Sequence, residues 1–396
     1  MLADRVKVLE ASQTILISNE AKRLKSEGFD IIDLSMGESD YNTPENIKTM
    51  GKTAIDQNRT RYTLNQGTVD LRNAIVNKLK KDNNLEYNLN EIVVSTGAKQ
   101  SIYNSMLALV NPGDEVIVPS PYWVSYPSMI QLAGGKMIIL ETDERNGFKI
   151  TTEQLSSAIT SKTKMLILCN PSNPTGSVYN FEELKSLANI IEKKDIYVLS
   201  DEIYEKLVYD GTQFTSFASL SDNIKKKAII INGISKSYAM TGWRIGYSAS
   251  SEEIASAVNK IQGHTTSNAS TISQFAAVEA IGGSQTAITE MIKEFKARRD
   301  FLYKELIAID GINCYKSEGA FYLFPKVSKF FNKKSDVFKI SNSFDLTMHL
   351  LYEAHIAVIP GSAFGKEGYL RLSYSTSMEN LVEAVKRLRK ALLKIQ

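Results

Sequence analysis

The segment Asn232-Gly-Ile-Ser-Lys236-Ser-Tyr-Ala-Met-Thr-Gly-Trp-Arg244-Ile-Gly246 sets one lysine and one arginine on a short loop punctuated by glycines, directly after the run Ile229-Ile230-Ile231. Such an apolar, β-branched run reads as a buried strand. A lysine at the mouth of a buried strand loses its proton readily and becomes an imine-forming amine, and a neighbouring arginine can hold a phosphate. Read alone, the same residues are also compatible with ordinary surface charges, because Lys and Arg mostly face water.

Together the two side chains suggest a site for pyridoxal 5'-phosphate (PLP), and three more segments point the same way. In Val198-Leu-Ser-Asp201-Glu-Ile-Tyr204 an apolar strand ends in an aspartate. The carboxyl ends of strands are where open α/β sheets bind ligands. With PLP there, Asp201 would keep the pyridine nitrogen protonated, and Tyr204 could donate to the ring O3'. Taken singly, Asp201 reads equally well as a helix cap and Tyr204 as a core aromatic. In Met165-Leu-Ile-Leu-Cys-Asn-Pro-Ser-Asn173-Pro-Thr-Gly176 a second strand runs into a loop whose prolines and glycine fix its path. Asn173 there could serve O3' and a substrate carboxylate, or be a turn asparagine. In Ile92-Val-Val-Ser-Thr-Gly97-Ala98-Lys99-Gln100 a third strand opens a helix expected to run through Leu109. Free N–H groups at a helix start make a phosphate cradle.

Taken together, these segments resemble the fold-type I PLP enzymes, and among them the class I aminotransferases of the aspartate aminotransferase family. The likeness extends from Gly37-Glu-Ser-Asp-Tyr41-Asn-Thr-Pro44 through Ser120-Pro-Tyr-Trp123-Val-Ser-Tyr-Pro127 to Gly361-Ser-Ala-Phe364 and Arg371-Leu-Ser-Tyr374. The Ser120–Pro127 run and the Met240–Tyr247 run look especially like the prokaryotic-type branch, some of whose members also accept prephenate.

The resemblance implies a role for each matching residue. Lys236 matches the Schiff-base lysine, Asp201 the pyridinium partner, Tyr204 and Asn173 the O3' donors, and Arg244 a phosphate ligand. Gly97, Ala98, Lys99 and Ser235 complete the expected cofactor contacts. Tyr122 and Trp123 fall where the family stacks an aromatic on the cofactor, Trp123 also lining the substrate pocket. Arg371 matches the arginine that grips the substrate α-carboxylate as a bidentate pair. Gly37 lies in a segment that closes over the substrate, and Lys99 matches the lysine that takes the distal carboxylate. Tyr62 matches a tyrosine that reaches the phosphate from a neighbouring subunit, which implies a homodimer with shared sites. Two positions depart from the family pattern: Gly233 stands where many members have a phosphate-binding serine, and Glu10 where prephenate users tend to carry a basic residue.

The implied reaction is transamination between L-aspartate and 2-oxoglutarate, giving oxaloacetate and L-glutamate by a ping-pong course. The alternatives are an aromatic or prephenate aminotransferase and a PLP lyase, since fold does not fix the reaction.

Composition narrows the field further. The net charge of +3 is small and the basic residues form no stripe, so nucleic acid is not implied. With only two cysteines, Cys169 and Cys314, a disulfide framework is not expected, as in a reducing cytoplasm. The three histidines lack metal-ligand spacing, so no metal is expected, and no apolar run approaches the ~20 residues that span a bilayer. The start of the chain is polar and lacks the apolar core of a signal peptide.

A chain of 396 residues exceeds one typical core. Alternating strands, near 92–94, 115–118, 137–140, 165–169, 196–200 and 228–231, and amphipathic stretches such as Phe181–Glu192 predict an α/β fold with a mostly parallel sheet flanked by helices. This large domain is expected over 45–285. A smaller α+β domain combines 1–44 with 286–396, entered by one long helix over Thr286–Ile309. It carries strands at Phe321–Phe324, Ala357–Ile359 and Tyr369–Ser373 and a closing helix from Met378.

Overall fold

A computed structural model describes residues 2–7, 9, 13–335 and 337–396. Glu10 lies outside the described residues. The centre of the molecule is a seven-stranded sheet in the order Ile92–Ser95, Gly246–Ala249, Ala228–Gly233, Tyr197–Asp201, Thr163–Cys169, Glu115–Ser120, Lys136–Glu141. Every neighbouring pair from Ala228–Gly233 to Lys136–Glu141 is parallel. Gly246–Ala249 runs antiparallel to both of its neighbours.

All six strands read from the sequence are present, and the seventh, Gly246–Ala249, is an addition. Its direction has a simple cause. A parallel strand needs a crossover, usually helical, whereas residues 234–245 hold only a short 3₁₀ turn at Thr241–Trp243. The chain therefore returns beside the strand it has just left, pairing Gly233 with Gly246.

Because side chains alternate across a sheet, the strands feed two cores. On one face Val116, Val118, Ile167, Leu199, Ile229 and Ile231 meet Ile102 and Met106 of the helix Ala98–Leu109 and Ile254 and Val258 of Glu252–Gly263. On the other, Ile117, Leu166, Leu168 and Val198 meet Leu184, Leu187 and Ile191 of the helix Phe181–Ile191. Ile229, Ile230 and Ile231 are all completely buried, each stabilising the fold by roughly 1.5–3 kcal/mol relative to an exposed side chain. The helix Phe181–Ile191 begins at a capping box in which Asn180 accepts from the Glu183 amide and Glu183 accepts from the Asn180 amide.

The long helix spans Thr286–Ile307, two residues short of the expected end. Met291, Phe295 and Leu302 are buried along it, and Phe301 is half-buried against the same core. It leads to a second layer where Ile359–Pro360, Leu370–Ser373 and Tyr322–Leu323 form a three-stranded antiparallel sheet covered by Ser343–Glu353 and Met378–Leu393. The single strand expected over Ala357–Ile359 is two, Ile356–Ala357 and Ile359–Pro360, because the two pieces pair with different partners. Ile356–Ala357 pairs in parallel with Ile32–Asp33, so the start of the chain is joined to this C-terminal layer by backbone bonds. Among the described residues no helix is long and apolar enough to cross a membrane.

Candidate active site

Most of the functional residues read from the sequence sit at one edge of the sheet because they lie at or just after the carboxyl end of a strand. Cys169 and Ile231 flank Asp201 in register, so the ends of three strands lie side by side. The loops leaving them carry Asn173, Tyr204 and Lys236. A cavity of about 460 Å³ opens there, lined by Lys236, Asp201, Tyr204, Asn173, Trp123, Ala98, Lys99, Ser235, Arg244, Gly37 and Arg371, among others. Its walls come from segments more than 300 residues apart in the chain.

Lys236 donates from Nζ to the Gly37 carbonyl at 2.5 Å. Burial, and then the Arg371 charge, push its amine down to about 8, while Glu38 and Asp201 act in the opposite sense. Asp201 is buried, and its Oδ2 accepts from the Tyr126 phenol at 2.6 Å. Desolvation raises its carboxyl to about 6 against the pull of that bond. Among the described residues it forms no ion pair within reach of a direct contact.

Arg371 lies in the strand Leu370–Ser373 and is 5% exposed. Its Nη2 donates to the Ser35 carbonyl at 2.6 Å and its Nη1 to Asn173 Oδ1 at 3.2 Å. Among the described residues its buried Nε has no hydrogen-bond partner, so this donor is open to an anion. Lys99 stands over the Trp123 ring at 5.1 Å, its amine lowered first by desolvation and then by the Arg244 charge. The Trp123 ring meets Tyr126 edge-on at 5.3 Å.

At the other end of the cavity, Gly97 takes a φ of +82° and starts the helix Ala98–Leu109 without a capping side chain. The first N–H groups of a helix have no intrahelical acceptor. The Arg244 guanidinium lies directly against Gly97, where an added Cβ would sit 2.4 Å from Nη2. Glycine is favoured there by φ, and any side chain would push the Arg244 guanidinium aside. Gly233 has an equally plain reason to lack a side chain, since a Cβ would lie 2.8 Å from the Ile245 carbonyl of the returning strand. A serine at this position has no room.

Two expected residues lie elsewhere. Tyr122 does not line the cavity: its amide donates to the Phe364 carbonyl and its ring lies on Gly365, so of the two neighbours Trp123 is the one on the cavity wall. Tyr62 is 91% exposed, in a separate surface groove with Arg61 and Asn268–Ile272, away from the cavity of its own chain. Residues not anticipated include Tyr126, Tyr322, Glu38 and Thr241. Tyr126 is 75 residues from the aspartate it touches, and no local pattern could pair them. Thr241 donates to Glu38 Oε2 at 2.7 Å, joining the segment around Gly37 to the lysine loop.

Lys99, Lys236, Arg244 and Arg371 face only Glu38 and Asp201 as formal anions on the cavity wall, so the cavity favours an anionic ligand. Fold and cavity define an α/β enzyme with a desolvated amine at the carboxyl edge of a parallel sheet, in a cavity it shares with three other cationic side chains. The chain belongs to the aminotransferase class I and II family, whose pattern it matches over residues 30–388. Members of that family are generally PLP-dependent. The chain is 46% identical over 388 residues to an aspartate aminotransferase of Bacillus sp. (strain YM-2), covering 98% of each. It is 44% identical over 390 residues to an aspartate/prephenate aminotransferase of Nitrosomonas europaea, again covering 98% of each. Its fold superposes on the crystal structure of an aspartate aminotransferase from Rhizobium meliloti with a TM-score of 0.97, at 39% identity and 100% of both chains.

Proposed function

We propose that this aminotransferase uses PLP to move the amino group of L-aspartate to 2-oxoglutarate, producing oxaloacetate and L-glutamate. The observation that carries the reading is the desolvated amine of Lys236, lowered to about 8, on a cavity wall it shares with Asp201, Arg244 and Arg371.

The residues present fit the cofactor. Asp201 is a buried carboxylate without a cationic contact, which a protonated pyridine nitrogen supplies. The side-chain-free turn at Gly97, the open helix start at Ala98 and Lys99, Ser235 and Arg244 form a cradle suited to a phosphate. When bound, the cofactor supplies an electron sink for the bond that is broken at the substrate Cα.

The chain's own residues supply the rest. Lys236 is the attachment point for the cofactor and, once freed, the base that takes and returns the Cα proton; an amine near 8 is suited to both directions at neutral pH. Tyr204 and Asn173 would hold the ring oxygen of the bound cofactor, and Trp123 would stack on its ring. Arg371 grips the α-carboxylate, using the donor left open at Nε, and Lys99 pairs with the distal carboxylate. Gly37, tied to Lys236 through its carbonyl, belongs to the segment that excludes water when substrate is present.

We extend the proposal to a division into a large domain at 45–285 and a small domain made of 1–44 and 286–396. It also includes a cytoplasmic homodimer in which Tyr62 serves the partner's cofactor; the exposure of Tyr62 and two unpaired thiols support these parts.

The test compares wild type with Lys236→Ala in the presence of PLP, aspartate and 2-oxoglutarate. Wild type should show a visible cofactor band that bleaches with aspartate, and the variant should lose at least about a thousandfold in turnover. A band indifferent to aspartate would overturn the substrate assignment. The name of the Nitrosomonas relative makes prephenate the second acceptor to try.

A further inference from the structure

Tyr322 belongs to none of the segments that announced the site, yet it touches Tyr204 and Arg371 at once. It is completely buried, and its phenol oxygen is 2.9 Å from that of Tyr204. The two rings meet edge-on at 5.9 Å. Its ring face also carries the Arg371 guanidinium at 4.4 Å, and the Phe364 ring carries the same guanidinium at 5.0 Å.

Sheet register explains the double contact. Tyr322 is paired directly with Ser373, and Arg371 lies two residues along the same face of that strand. Diagonal neighbours of this kind are within reach when both side chains are long. The hydroxyl also abuts Gly37, where a Cβ would stand 3.6 Å from it. One side chain thus meets the tyrosine near the cofactor ring, the arginine for the substrate, and the segment over the lysine.

We propose that Tyr322 is a positioning residue with two separable functions: its hydroxyl fixes the Tyr204 phenol, and its ring face fixes Arg371. The inference rests on the roles given to Tyr204 and Arg371 above. When Tyr204 donates to the cofactor's ring oxygen, it can accept from Tyr322, and a chain of hydroxyls polarises its last donor. The Tyr322 hydroxyl therefore favours the deprotonated ring oxygen. The ring face acts differently, holding a guanidinium that makes two hydrogen bonds among the described residues.

The experiment separates the two. Tyr322→Phe keeps the ring and removes the hydroxyl; Tyr322→Leu removes both, and Tyr322→Met replaces it if the leucine variant does not fold. Two readouts are taken on PLP-loaded protein: the pH midpoint of the cofactor's visible band, and the Kd of succinate, which cannot react. Tyr322→Phe should move the midpoint upward by roughly half a unit or more and leave succinate affinity within about twofold. The leucine or methionine variant should show the same midpoint shift and also bind succinate about tenfold more weakly, with KM for aspartate rising in parallel.

A phenylalanine variant that titrates like wild type, or that loses succinate as severely as the leucine variant, overturns the proposal. Failure of the underlying reading looks different: wild type itself would then show no band, or a band that aspartate does not bleach.

Discussion

Glu202 follows Asp201 directly but points into a different environment. It is 1% exposed, and its Oε1 accepts from Ser200 and Ser216 at 2.8 Å and from the Phe217 amide at 3.2 Å, while Oε2 has no partner. Nearby, Glu205 forms a buried ion pair with Lys78 and accepts from Asn83 at 3.0 Å. Desolvation, with the Glu205 charge second, raises the Glu202 carboxyl to about 7 from 4.5. The folded chain thus binds this proton more tightly than the unfolded chain. Its stabilising effect is complete below pH 4.5 and lost as pH climbs through 7, by roughly 3 kcal/mol. Glu202→Gln cannot titrate, so its urea midpoint should fall less than that of wild type between pH 5 and pH 8.5. Equal falls in the two proteins would show that Glu202 is not the group responsible. Lys236 illustrates the opposite effect on a base, its burial and the Arg371 charge favouring the neutral amine that the proposed chemistry uses.

Between elements, the tightest constraint is the contact of the returning strand with the start of the helix Ala98–Leu109. A Cβ on Gly246 would stand 2.1 Å from the Ala98 amide nitrogen and 2.4 Å from the Gly97 carbonyl carbon. Backbone atoms cannot give way as a flexible side chain can. Gly246→Ala must therefore separate the strand Gly246–Ala249 from the helix start, opening the turn that Arg244 covers. Overpacking of this kind costs about 1–3 kcal/mol, and PLP retention should fall with it. Chemical denaturation together with the cofactor-to-chain ratio after gel filtration checks both effects. A variant that is destabilised but keeps its cofactor would argue against the cradle at Gly97 and Ala98.

On the scale of the whole molecule, the cavity draws its wall from both ends of the chain, and Arg371 and Gly37 are brought to the sheet edge only by the C-terminal layer. The pairing of Ile32–Asp33 with Ile356–Ala357 and the contact of Arg298 Nη1 with both Asp40 oxygens at 2.9 Å tie the segment around Gly37 to that layer. Tyr62 is the one proposed cofactor residue outside this arrangement. If it serves a partner, Lys236→Ala and Tyr62→Phe chains should complement each other. The mixed dimer contains one site with both residues intact. Activity after subunit exchange should exceed that of either variant alone, and sedimentation should give twice the chain mass. No recovery in a mixture shown to contain heterodimers would assign Tyr62 to a structural role.

The amino-acid sequence by itself determined the parallel sheet and the chemistry at its edge, because both are written locally. Apolar runs such as Ile229–Ile231 are self-declaring strands, and the lysine, aspartate and asparagine lie in the loops that leave them. What local pattern could not carry is anything that depends on two distant segments meeting. The antiparallel direction of Gly246–Ala249 follows from pairing, not propensity, and the bond from Tyr126 to Asp201 joins the start of the helix Tyr126–Leu132 to a strand end. The displacement of Tyr122 from the cavity wall follows from its packing on Gly365, which arrives from the other end of the chain. Tyr322 was invisible for the same reason. As sequence it is one more aromatic in a strand, and only the register of that strand against Leu370–Ser373 lays its ring on Arg371 and its hydroxyl beside Tyr204.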